Sequence, residues 1–191
     1  MAHSTYQPHF TSLNHHFLLA MPGMHSDLFD GAVVYVCEHS PEGAFGLIIN
    51  RPTNISANEL LKSEQDSVSL SEQMVFFGGP VELNHGFVLH KLDAAQHYRS
   101  TISNQRLGIT TSSDILEDIA THQGPEQYLI CLGYAGWSKG QLELELAENS
   151  WLTLPAEDRI IFETPIPARY KAVLNLMGID PAQLSDVSGH A

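Results

Sequence analysis

The hydrophobic positions of this 191-residue chain come in short runs, each closed by a turn residue. Phe17–Met21 is apolar and is stopped by Pro22-Gly23. Gly31–Glu38 is β-branched and aromatic, as a buried strand requires. Pro41-Glu42-Gly43 marks a turn and Ala44–Asn50 a second strand, which predicts a hairpin over 31–50 with a slightly long loop. Arg51-Pro52 ends it, and Thr53 or Ser56 can cap a short helix over 57–64. Met74–Phe77 is a strand that enters the sharp turn Gly78-Gly79-Pro80. Further strands are predicted over Gly86–Leu92, about 97–102 and Leu107–Thr110.

The second half mixes periods. Asp114 and Glu117 have the spacing of a capping box, which predicts a helix over Ile115–Thr121 closed by Gly124-Pro125. Tyr128–Leu132 is a strand leading into a glycine-rich loop over 133–140. Leu142-Glu-Leu-Glu-Leu146 alternates like a strand, but Leu and Glu favour helix and Leu142 lies one turn from Leu146, so a helix is predicted. Ser150–Leu154 and Arg159–Glu163 are short strand candidates. Ile166, Tyr170, Val173, Leu174 and Met177 form one apolar stripe of a final helix, ended by Gly178 and Pro181. Strands that follow one another without intervening helices predict an α+β fold.

Length and composition fit a single domain: a polar, loose segment over 1–16 and a folded unit over 17–191. Twenty-two acidic residues against nine basic give a net charge of −13. DNA binding draws on Lys and Arg displacing counterions, and the nine here form no run, so direct DNA binding is disfavoured, as is an anionic membrane surface. No basic residue precedes Arg51, no apolar run can span a bilayer, and two cysteines make no disulfide framework. A cytoplasmic location is the expectation.

Candidate chemistry is sparse. Gly133-Tyr134-Ala135-Gly136-Trp137-Ser138-Lys139-Gly140-Gln141 could cradle a ligand, with Tyr134 and Trp137 as stacking platforms and Gln141 as a donor. A tight connection with its aromatics plugged into the core explains the same residues, and neither phosphate-loop pattern is present. In Cys37-Glu38-His39, strand geometry puts Cys37 and His39 on one face, with Cys37 buried and Glu38 and His39 at the mouth of a site. Asn50 and Arg51, at the end of the next strand, are expected beside Glu38 and His39; a plain ion pair at a sheet corner is the structural alternative. The eleven histidines show no zinc spacing, so no metal and no cofactor is expected. Asp114 reads as a helix cap rather than an anion site.

Several of these segments resemble one family. Phe17-Leu-Leu-Ala-Met-Pro22, Val33-Val-Tyr-Val-Cys-Glu-His39, Gly43-Ala-Phe-Gly-Leu-Ile-Ile-Asn-Arg-Pro52, Gly78-Gly-Pro-Val81, Gly86-Phe-Val-Leu-His90, Thr110-Thr-Ser-Ser-Asp-Ile-Leu116, Leu132-Gly-Tyr-Ala-Gly-Trp137 and Gly140-Gln-Leu-Glu143 are similar to the AlgH/YqgE family of bacterial proteins, from about Phe17 to the C-terminus. The resemblance implies a compact α+β domain with several coiled, mostly antiparallel sheets and a few peripheral helices. It also carries a transcriptional-regulator label, from a branch linked to alginate production, and brings no catalytic residues. The chain departs from the pattern at Asp30-Gly31, where a basic residue and Ser are usual, and over residues 1–16. The leading functional expectation is a regulatory or adaptor protein acting through a protein partner or small ligand. A hydrolase or transferase using Glu38, His39, Asn50 and Arg51, with Thr111 or Tyr134, is the alternative, and it requires one cleft that joins 38–39, 50–51 and 133–141.

Overall fold

The computed structural model describes residues 10–20, 28–59, 73–104 and 106–180. The elements are β1 His16–Ala20, β2 Val33–Ser40, β3 Gly43–Ile48, β4 Pro52–Ser56, β5 Met74–Phe77, β6 Val81–Lys91, β7 Thr101–Ser103, β8 Leu107–Thr110, α1 Asp114–Ala120, β9 Tyr128–Ser138, α2 Gln141–Ala147, β10 Trp151–Pro155, α3 Asp158–Phe162 and α4 Arg169–Leu176. The α+β class holds. Instead of several sheets, the strands join one hydrogen-bonded network in the order β10-β1-β2-β3-β9-β6-β8-β7, with β5 parallel to β9 and β4 on β5. The long β9 is the reason: its first half pairs with β5 and β6 and its second half with β3, so it stitches the two halves together.

Alternation along the strands fills both faces. Phe17 and Leu19, Val33 and Tyr35, Leu47 and Ile49, Phe87 and Leu89, and Leu129 and Cys131 share one core with Ile160 and Ile161 of α3 and Val173 and Leu174 of α4. The neighbouring positions Leu18, Val34, Val36 and Ile48 face a second core with Trp137, Leu142 of α2 and Trp151. Val88 and Ile130 face a third, covered by Ile115, Leu116 and Ile119 of α1. A strand buried on both faces must be apolar at every position, which is why the sequence shows runs. The network curls around the first core. Asn104, in the β7–β8 turn, donates to Tyr35 Oη at 2.6 Å, although β2 and β8 are separated by three strands in the sheet order.

Several expectations change. The 31–50 hairpin forms, but Ser40 pairs with Gly43, so its turn is tight rather than long. Residues 133–138 of the expected glycine loop are strand: Gly133, at φ +66°, makes a kink that β9 runs through. Arg159–Glu163 is helix α3 instead of a strand, because Ile160 and Ile161 are consecutive and both fully buried in one core. The capping box does not form. Asp114 instead accepts from the Ser112 hydroxyl and from the backbone N–H groups of Arg99 and Ile115, both at about 3 Å. The helix expected over 57–64 is a 3₁₀ turn at Ala57–Glu59, and 60–64 lie outside the described residues. The final helix begins at Arg169, behind a 3₁₀ turn at Ile166–Ala168. Of the segment read as loose, 1–9 lie outside the described residues, while Ser12, Leu13 and Asn14 are hydrogen-bonded to His39.

Two imidazoles, the buried His90 and the half-buried His15, give the fold a pH dependence. His90 Nδ1–H donates to the Lys91 carbonyl at 2.9 Å, which leaves Nε2 to accept from the Thr110 hydroxyl at 2.9 Å. Burial pushes the pKa of His90 down, against the opposing pull of that carbonyl. Burial does the same to His15, against the raising effect of Asp158. Each folded pKa lies below the unfolded value of about 6.5. Their contribution is therefore complete above pH 6.5 and is lost as pH falls below it, by up to about 1.4 kcal/mol per pH unit for each group. Urea midpoints should decline from pH 7 to 5.5, and His90→Gln should flatten the decline. Equal slopes in the two proteins would show that His90 does not carry it.

Candidate functional site

The hairpin carries a second kink with consequences for the site. Between Val36 and Glu38 the β2–β3 register shifts by a bulge at Cys37. Directly paired residues share a face. Glu38 pairs with Phe45, and His39 with Ala44. The bulge thus puts Glu38 on the Phe45 face, next to Cys37, and sends His39 to the opposite face, toward α2. Cys37 and His39 do not share a face as an unbroken strand would require. Cys37 is buried and burial pushes its thiol pKa well up, so it stays protonated.

Where the first core reaches solvent, an open cleft of about 500 Å³ lies over β2, β3 and β9. Phe45 and Tyr134 line its base, and beneath them the buried Phe87 completes a triangle of rings packed at steep angles, with centroids 5.1, 5.5 and 5.6 Å apart. Glu38 and Glu42 stand exposed at its rim, with Ser40, Ser138 and Val81 on the walls. The only ion pair at this rim among the described residues is Glu42 with Lys139, at 3.2 Å, both side chains largely in water. Such a pair is worth under about 1 kcal/mol and yields readily to another cation. A Cβ on Gly136 would sit 3.0 Å from Tyr134 Cε2, so the missing side chain is what lets the tyrosine lie across β9.

Trp137 borders the cleft but sends its indole into the second core. There it donates to Glu145 Oε2 at 2.8 Å, and Trp151 donates to the same oxygen at 2.7 Å. Gln141 belongs to this arrangement. Its Oε1 accepts from the Ser138 N–H at 3.0 Å and its Nε2 donates to Glu145 Oε1 at 2.9 Å, so it starts α2 and orients the carboxylate. His39 lies nearby, buried, with Nδ1 accepting from the Leu13 N–H and Nε2 3.0 Å from Glu143 Oε1. Since the Leu13 amide can only donate, the proton of the neutral imidazole is on Nε2, facing Glu143.

Asn50 and Arg51 are at the other end of the hairpin. The end of β3 in an antiparallel pair lies beside the start of β2, roughly 20 Å along the strand from Glu38. Asn50 Oδ1 accepts from the Val33 N–H at 2.9 Å and its Nδ2 donates to the Gly31 carbonyl at 2.8 Å. Arg51 donates to the Leu28 and Asp30 carbonyls. Both pin the approach to β2. Of the seven candidates, Glu38 and Tyr134 supply cleft side chains, Trp137 borders it, His39 and Gln141 brace it from behind, and Asn50 and Arg51 are elsewhere. Sequence reasoning missed Phe45, Glu42 and the Glu145–Trp151 contact. The visible signals were the turn residues Pro41-Glu42-Gly43 just before Phe45, and the i,i+4 spacing of Gln141 and Glu145.

Among the described residues no three potential metal ligands converge, and no helix is long and apolar enough to cross a membrane. The profile of the AlgH-like family matches residues 17–182. The chain belongs to the AlgH-like family. It is 45% identical over 185 residues to a UPF0301 protein of Bordetella avium, covering 95% of this chain and 93% of that one. A UPF0301 protein of Chromobacterium violaceum is 48% identical over 185 residues, covering 94% and 98%. The solution structure of AlgH from Pseudomonas aeruginosa superimposes with a TM-score of 0.79 and 42% identity over the whole of both chains. A crystal structure of a Corynebacterium diphtheriae protein, 21% identical over 92% of this chain and 91% of that one, shares the fold at a TM-score of 0.70. The AlgH-like motifs now have positions: Gly43-Ala-Phe45 and Gly133-Tyr-Ala-Gly136 are the two strands that floor the cleft.

Proposed function

We propose that this AlgH-like protein is a cytoplasmic regulatory or adaptor protein that holds a cationic group of a protein partner in the cleft below Glu38 and Glu42. One observation carries the reading: two exposed carboxylates, Glu38 and Glu42, line one cleft with the rings of Phe45 and Tyr134, which rest on the buried Phe87. The apolar stem of an Arg or Lys side chain fits the ring surface, and its charged head reaches the rim. A cation over such a face gains roughly 0.5–2 kcal/mol, depending on how far water is excluded. The net charge of −13 adds a long-range pull on a basic partner and opposes nucleic acid. Under this reading a transcriptional role is exercised through a bound protein. The hydrolase or transferase reading loses its geometric support, since Asn50 and Arg51 stand at the far end of the hairpin and His39 on the opposite face.

The test is native mass spectrometry of complexes taken from the protein's own cytoplasm, wild type against Glu38→Gln/Glu42→Gln. Both sites are exposed, so the variant should fold normally. The expected result is a discrete complex that weakens as salt rises and drops at least tenfold in the double variant. A complex retained equally by both proteins would sink the cleft as the binding site.

A further inference from the structure

Among the described residues, the strand that floors the cleft has an unpaired edge beside it. Ile48 N–H donates to the Gly78 carbonyl, on the β9 side, and Ile49 N–H to the Val33 carbonyl, on the β2 side. Even-numbered residues of β3 therefore direct their backbone groups at β9 and odd-numbered ones at β2. Ala44 and Gly46 bond to their partners Trp137 and Ala135, which leaves the N–H and C=O of Gly136 pointing away from β3. The Ser138 N–H agrees with this parity, because it donates to Gln141 Oε1 at 3.0 Å instead of to β3. On that far side β6 covers β9 only as far as Tyr134, which pairs with Val81, the first residue of β6. Gly136 is exposed.

We infer that this edge receives an extended segment of the partner as a short added strand, with an arginine or lysine opposite Gly136. The inference rests on the reading above that the cleft takes a cation, and it specifies how the cation is presented. A residue paired with Gly136 exchanges two backbone hydrogen bonds with it. Its side chain falls on the face Gly136 shares with Tyr134 and Phe45, because paired residues share a face and alternate residues of a strand do too. Gly136 has no side chain to compete for that space. The guest's stem lies on the rings and its head meets Glu38 and Glu42, displacing the exposed Lys139 from Glu42. A single glycine rung without a charged head would bind weakly, and a free cation without a backbone would lack register. The two features together select an extended basic peptide over either a small amine or a folded basic surface.

The experiment uses the full chain, labelled with 15N, and three probes: the blocked peptide acetyl-Thr-Val-Arg-Val-Thr-amide, the same peptide N-methylated at the arginine amide, and acetyl-arginine methylamide. The expected result is binding of the first peptide, with the Gly136 amide shifted and its hydrogen exchange slowed at least tenfold at saturation. The N-methyl peptide and the single arginine should each bind at least tenfold more weakly, and Glu38→Gln/Glu42→Gln should weaken the first peptide by at least tenfold. Equal binding of both peptides with unchanged Gly136 exchange would overturn strand addition while leaving a cation-binding cleft intact. Binding of none of the three probes would also overturn it. The capture of complexes from the cytoplasm then decides separately whether the broader reading falls.

Discussion

Replacing Glu145 with alanine is expected to lower stability by about 3 kcal/mol, because two buried indoles lose their shared acceptor at once. Trp137 and Trp151 are 6% and 4% exposed, with ring centroids 5.8 Å apart. Both N–H groups end on one carboxylate oxygen. An orphaned buried donor costs roughly 1–3 kcal/mol, and the carboxylate's bonds are about twice as strong as neutral ones. Glu145 is itself half-buried, so water can recover part of the loss. Glu145→Gln keeps an acceptor oxygen but not the charge and should lose about 1 kcal/mol. Urea unfolding followed by tryptophan emission separates the two variants. A loss below about 0.5 kcal/mol for the alanine variant would mean that the indoles find other partners. The same carboxylate is held by Gln141, so Gln141→Ala should act in the same direction with a smaller effect.

The way the cleft is assembled explains what the sequence could disclose. Met74–Phe77 and Leu107–Thr110 were legible to the residue, since runs of Val, Phe, Ile and Leu between turn residues admit few other structures. Leu142–Leu146 was legible as a helix because side-chain preference outweighed alternation. Two bulges were not legible. Gly133 could equally open a loop, and nothing in Cys37-Glu38-His39 announces that its middle residue changes face. Each bulge reverses the facing of every residue beyond it. One unseen bulge therefore misplaced His39, and the other hid the strand that floors the cleft. The pairing of Asn50 and Arg51 with Glu38 failed for a plainer reason: two strand ends counted along the chain are at opposite ends of an antiparallel hairpin. Family motifs identified the fold without this geometry, because they report what is shared along the chain and not which face each residue takes.

Arg169→Met should cost about 3 kcal/mol, the second large loss expected of a single substitution. Arg169 is 4% exposed, although it is the first residue of α4. Its Nη1 donates to the Ile49 carbonyl at the end of the β3 segment, its Nε to the Thr164 carbonyl at 3.1 Å, and its guanidinium lies 5.4 Å from the centre of the Phe76 ring. Burial pushes its pKa down, with the nearby Cys131 thiol opposing that shift. Burial holds Cys131 itself up at about 12, so that thiol stays neutral and offers no full negative charge. The cation is thus satisfied by carbonyls and a ring face. A methionine fills similar volume but leaves the buried Ile49 carbonyl without that donor, at roughly 1–3 kcal/mol before relaxation, and removes a second bond from the half-buried Thr164 carbonyl, which water can partly replace. Arg169→Lys keeps the charge and can reach only part of this arrangement, so it should lose about 2 kcal/mol. Denaturant unfolding checks both variants, and a methionine variant as stable as wild type would show that the charge is a burden the core does not need. Neither variant should change cleft binding per folded molecule, because Arg169 is absent from the cleft lining and bonds to the opposite end of β3 from Gly43.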